Sequence, residues 1–270
     1  MTRLGVSFLS VSVLTLGFLG LAPLELSNPG VVFEMEITDH SKSPPVVYDT
    51  EIMAEGTNYK MSMTGGPAGG VFEMIFRGDQ REMLMVSHEE RSYFVMNDET
   101  IAAMAGMFAQ VAEMMERMPE AQRDAMMKAQ GMGGAVETEL RNTGEKATKQ
   151  GYPAVKYEIL QEGRVSRDMW VTDWNNVEGG EEAYAAFEGM ASFMGEMMES
   201  FKGFGPMAQM GSEFEKMKEI NGLPVESRDY DEGGTLTGES VLKSASRRTI
   251  EAAEFEAPAG YKEQDMGGGM

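Results

Sequence analysis

Between Val31 and Met96 apolar side chains recur at every second position. Val31, Phe33, Met35 and Ile37 alternate with Val32, Glu34, Glu36 and Thr38, the period of a half-buried strand. Tyr59, Met61 and Met63 continue the pattern, followed by Phe72, Met74 and Phe76, then Met83 and Met85, then Tyr93 and Val95. Ser43-Pro44-Pro45, Gly65-Gly66-Pro67, Gly78-Asp79 and His88-Glu89-Glu90 punctuate these runs as turns. Short strands joined by short turns predict an antiparallel meander that forms one curved sheet, not βαβ units.

The period then changes. Asn97-Asp98 offers a helix N-cap, and a helix is expected from about Glu99 to Met118. Its large apolar residues Met104, Met107, Val111, Met114 and Met118 are spaced as one stripe, widened by Phe108 and Met115. Pro119 interrupts it, and a further turn or two from Ala121 to Gln130 ends at Gly131-Met132-Gly133-Gly134. Strands resume near Ala135, at Ala154 to Tyr157 and at Arg167 to Val171. A second helix, from about Glu181 to Phe204, carries a matching stripe of Tyr184, Phe187, Met190, Met194, Met197, Phe201 and Phe204. A weak repeat places Glu145-Lys146 before Gly151-Tyr152-Pro153 and Glu215-Lys216 before Gly222-Leu223-Pro224. Each Gly-x-Pro opens a strand that leads to a polar turn, so two similar hairpins should extend the same sheet. The fold class is therefore mainly β with α (α+β): a curved antiparallel sheet with two methionine-rich amphipathic helices on its concave face.

Methionine, 27 of 270 residues, gives this pattern its chemistry. Its thioether is flexible and polarizable, so a surface built of it adapts to partners of different shape. Met107, Val111, Met114 and Met118 on the first helix, with Phe187, Met190, Met194 and Met197 on the second, are the candidate ligand-binding residues. Thioethers also bind Cu(I), and Met104/Met107, Met194/Met197 and Met207/Met210 have a suitable spacing, with Met207 and Met210 in a glycine-flanked loop. The same spacing arises in any apolar helix stripe, so a copper-binding protein is the alternative, and no metal or cofactor is assigned. A structural or interaction domain whose core happens to be methionine-rich is a third reading.

No constellation points to catalysis. There is no Cys, no G-x-S-x-G, and the two histidines, His40 and His88, fall on separate turns without an evident Ser or Asp partner. The acidic clusters at Glu178 to Glu182 and Asp229 to Glu232 lack the alternating ligands of a calcium loop and read as solvated turns. Trp170 and Trp174 flank Asp173 and read as packing at the sheet edge. The chain is expected not to be an enzyme.

Arg3 precedes an apolar run from Leu4 to Leu24, and the next Lys or Arg is Lys42. That asymmetry predicts an N-terminal export signal over residues 1–24 and a periplasmic or secreted protein. Gly20-Leu21-Ala22 suits a cleavage site but Pro23 does not, so an uncleaved anchor is the other reading. Without Cys the domain has neither disulfides nor a site for lipid attachment. The net charge of −21 opposes nucleic acid and anionic membranes as partners. An apolar small molecule or an acyl chain, free or on a lipidated partner, is the expected ligand.

Two stretches carry a resemblance. Gly151-Tyr152-Pro153-Ala154-Val155-Lys156-Tyr157 with Asp168-Met169-Trp170-Val171 is similar to a strand pair of periplasmic carrier domains. Phe255-Glu256-Ala257-Pro258-Ala259-Gly260-Tyr261 looks like their terminal segment. The span from Val31 to Tyr261 thus resembles an uncharacterised exported family near the lipoprotein carriers LolA and LolB. The resemblance implies a half-open barrel plugged by helices over residues 31–261, followed by a flexible tail over 262–270. It assigns no functional residue, and the two methionine-rich helices look longer and richer than those of the carriers.

Overall fold

The computed structural model describes residues 29–65, 71–118, 138–200, 216 and 219–264. The expected leader, the segment Ala121 to Gln130, Phe201 and Phe204, and the Met207/Met210 pair lie outside them. Twelve strands form one unclosed sheet. The first half is β1 (Gly30–Asp39), β2 (Val46–Glu55), β3 (Asn58–Thr64), β4 (Val71–Arg77), β5 (Glu82–Ser87) and β6 (Ser92–Met96). Helix α1 (Asp98–Glu116) leads to β7 (Thr138–Lys149), β8 (Tyr152–Gln161) and β9 (Arg164–Thr172). Helix α2 (Gly180–Ser200) precedes β10 (Leu223–Tyr230), β11 (Leu236–Arg248) and β12 (Lys262–Glu263). The spatial order is β12-β6-β5-β4-β3-β2-β1-β11-β10-β9-β8-β7. Every pairing is antiparallel except that of β12 with β6. This is the curved, mainly antiparallel α+β sheet that the alternation and turn chemistry predict, left unclosed as the resemblance implies.

Two meanders are joined at a seam. β1 pairs with β2 on one side and with β11, near the other end of the chain, on the other. Both Gly-x-Pro strands open hairpins of that second meander: Pro153 lies on β8, which pairs with β9, and Pro224 on β10, which pairs with β11. Two of its turns, Gln150-Gly151 and Glu162-Gly163, hold positive φ at both central residues, the mirror-image geometry that matches the right-handed twist of strands. Register shifts in β1 at Glu34/Met35 and in β10 at Pro224/Glu226 bend the sheet further.

The register sets three apolar rungs on the concave face. One runs Val31, Ala54, Tyr59, Phe76, Met83, Met96, and the next Phe33, Ile52, Met61, Met74, Met85. The third passes through Met35, Thr50, Met63 and Phe72, where burial declines. Strand β2 was not among the expected strands. Its concave positions Tyr48, Thr50, Ile52 and Ala54 alternate correctly, but two are small or polar and dilute the signal.

Helix α2 lies across the first two rungs. Its buried side chains include Ala183, Ala186, Met190, Phe193 and Met197, so the buried stripe is turned by one residue from the line of the large side chains. Alanines at the helix start let its backbone approach the sheet, and Phe193 meets Phe76 with ring centroids 5.4 Å apart. Gly180 fixes the entry, since a Cβ there would lie 2.0 Å from the Trp174 carbonyl oxygen. Helix α1 begins with a reciprocal cap. Asn97 Oδ1 accepts the Thr100 N–H at 2.9 Å, and Thr100 Oγ1 accepts the Asn97 N–H at 2.8 Å.

The convex face is covered by the chain's own end. Val32, Ile75, Leu84 and Val86 pack with Ile250 and Phe255 of the segment after β11. Lys60 Nζ reaches Glu73 at 3.2 Å and Glu254 at 2.9 Å, and His88 lies 3.0 Å from Glu73 and 2.8 Å from the Tyr261 hydroxyl. Lys262 and Glu263, expected in the tail, instead extend the sheet beside Ser92 and Tyr93.

Candidate functional site

An apolar cavity of about 240 Å³ lies between the concave sheet and the start of α2. Its floor is Phe33 and Met35 of β1, Ile52 and Ala54 of β2, Tyr59 of β3 and Leu242 of β11. Its roof is Trp174, Ala183 and Phe187, and one wall is Ile220, Gly222, Leu223 and Pro224. Met169, Arg167, Ser227 and Ser240 complete it.

Local sequence explains why these groups converge. Asp173 caps a 3-10 turn over Trp174–Asn176 by accepting the Asn175 N–H at 2.9 Å. That turn drops Trp174 under α2, where its ring lies 5.7 Å from Tyr184 and 5.9 Å from Phe187. Gly222 permits the wall, because a Cβ there would lie 2.5 Å from Val171 and 2.6 Å from the Thr172 carbonyl oxygen.

The cavity is chemically graded along strands β9 to β11. Leu223 and Leu242 line it at one end. In the next rung Met169, Ser227 and Ser240 stand in register, and the two hydroxyls are 2.6 Å apart. One rung further, Arg167 pairs with Asp229 through its Nε. Burial pushes the Tyr59 phenol above its ordinary value, so it stays protonated. Among the described residues lining the cavity there is no His, Cys, Asp or Glu.

The structure distributes the eight residues expected to bind ligand unevenly. Phe187 lines the cavity. Met190 and Met197 are buried in the core beneath α2, and Met194 packs at its margin. Met118 is half-buried, while Met107 and Met114 on α1 are 46% and 67% exposed. The side chain of Val111 lies outside the described set. Helix α1 instead meets the core through Ile101, Met104 and Ala105. The lining therefore holds two methionines, Met35 and Met169. Sequence reasoning did not single out Arg167, Ser227, Ser240, Ile220 or Leu223 as site residues. Only the β1–β11 seam brings them opposite Phe33 and Ile52, and the available signal was the Gly-x-Pro opening of β10.

Among the described residues no helix is long and apolar enough to cross a membrane. No family model matches the chain, and no curated protein sequence does. Solved structures with a similar course include an uncharacterised conserved protein from Thermus thermophilus, at 7% identity and TM-score 0.45, covering 88% of this chain and 91% of that one. A putative outer membrane lipoprotein-sorting protein domain from Vibrio parahaemolyticus is similar at 8% identity and TM-score 0.24, covering 84% and 89%. A DUF1329 family protein from Desulfovibrio piger is similar at 9% identity and TM-score 0.24, covering 86% and 91%.

Proposed function

We propose that this chain is an exported, non-enzymatic binding protein that holds an apolar, lipid-like ligand, or the acyl chain of a lipidated partner, beneath α2. The carrying observation is the largely apolar cavity of about 240 Å³ between the concave sheet and α2. An engineered apolar cavity of about 150 Å³ accepts benzene, so a larger, mainly apolar one is big enough for a small apolar molecule or part of a chain. The absence of a base among the described lining residues supports binding without chemistry.

The test is titration of the purified domain with an apolar fluorescent dye or a fluorescent fatty acid. Ala183 lies in the roof and is buried, so Ala183→Leu places extra carbons in the void and should weaken dye binding at least tenfold while the domain stays folded. A folded wild-type domain that binds no dye would show the void to be a packing defect.

A further inference from the structure

We propose that the cavity takes its ligand in one orientation, with a carbonyl- or carboxylate-bearing head at Arg167, Ser227 and Ser240 and the apolar tail toward Leu242 and Phe187. This rests on the binding reading above and adds the chemical class of the ligand. The warrant is the polarity gradient along three adjacent strands. Within one cavity the lining passes from leucine and phenylalanine to a pair of hydroxyls and then to a guanidinium.

Arg167 supplies the recognition. Its Nε is committed to Asp229, and among the described residues no hydrogen bond engages its two terminal nitrogens. Its side chain lines the cavity and is about one-third exposed, so water also reaches it. A guanidinium can bind one carboxylate through Nε and offer its remaining N–H groups to a second oxygen acceptor. Asp229 thereby orients the fork and offsets its charge, and the fork still has only donors to offer. Ser227 and Ser240 share one hydrogen bond, so of their two hydroxyl protons one remains to donate inward. A head with oxygen acceptors matches this end, and a cationic head finds only donors on the fork and the hydroxyl.

Three amphiphiles with the same tail separate the cases: octanoate, methyl octanoate and octyltrimethylammonium, each displacing an apolar dye from the intact domain. The expected result is that octanoate and its ester both compete at least tenfold better than the cation. The tighter of the two names the source, a free fatty acid or an esterified acyl chain. In Arg167→Leu/Asp229→Leu, which removes both charges and orphans neither, the preference should collapse while dye affinity persists. Ser227→Ala, a smaller change, should lower the preference in the same direction. If the three bind equally, or the double variant keeps the ranking, the head is not read at this rim and the proposal fails, although dye binding would preserve the cavity reading. A domain that binds neither dye nor amphiphile fails the cavity reading itself.

Discussion

Lys60 shows how a single charge is tolerated in an apolar surface. It points to the convex face in register with Met53 and Ile75, and both it and Glu73 are buried. Burial opposes ionisation of Glu73, but the Lys60 charge and the hydrogen bonds from Lys60, Ser62 and His88 outweigh it and hold its pKa below the usual 4.5. For Lys60 burial likewise opposes the charge, and Glu254 and Glu73 overcome it, raising its pKa above 10.5. A lowered carboxylate pKa stabilises the fold above the unfolded value and is lost as pH falls through the folded one. A raised ammonium pKa stabilises below the unfolded value and is lost as pH rises through the folded one. The pair should therefore contribute steadily between about pH 4.5 and 10.5. Lys60→Met strands Glu73 and should cost about 3–5 kcal/mol at pH 7 in urea unfolding. Repeating the measurement at lower pH should shrink that cost, because burial, no longer opposed by Lys60, favours the protonated form of the stranded Glu73. An equal cost at both values would mean that the Lys60 stem matters only by packing.

At the scale of elements, the two helices are held by different devices. Helix α1 starts on the Asn97–Thr100 cap, and Asn97→Ala should cost about 1 kcal/mol in chemical denaturation. Helix α2 depends on steric access, so Gly180→Ala, which must displace the Trp174 carbonyl, should cost about 1–3 kcal/mol and disturb the cavity roof. Tryptophan fluorescence would report that disturbance through Trp174. The elements were largely legible from sequence because their periods are short-range: the strands of the first meander other than β2, both helices and both Gly-x-Pro hairpins follow from local patterns. Where local and tertiary preferences diverge, the pattern misleads. In α2 the largest side chains define one line and the deepest contacts run through Ala183 and Ala186 beside it. Ala54 and Thr50 hid β2 for the same reason, since small residues bury well in a close-packed interior without appearing hydrophobic. Of the cavity lining, only Phe187 was read from sequence as a site residue. The cavity walls come from strands whose adjacency is a property of the seam, and no window of sequence contains it.

For the whole molecule, the convex face depends on the segment that follows β11. Phe255, in the segment that follows β11, is buried against that face, so Phe255→Ala should cost about 3–5 kcal/mol. Hydrogen exchange should then show β4 and β5 losing protection before α2. The seam has a consequence in time. The cavity floor draws on β1 to β3 and its graded end on β9 to β11, so β1, though it pairs early with β2, must wait for almost the last strand before its other edge is paired. Pairings this distant in sequence are slow to close. A chain emerging N-terminus first carries a half-built floor with its apolar rungs uncovered, and it cannot hold ligand in this pocket until β11 has emerged. If the proposed pocket binds, a series of stalled chains should show dye capture rising only once the stall point lies well beyond Arg248, so that completing the seam and gaining the pocket are one event.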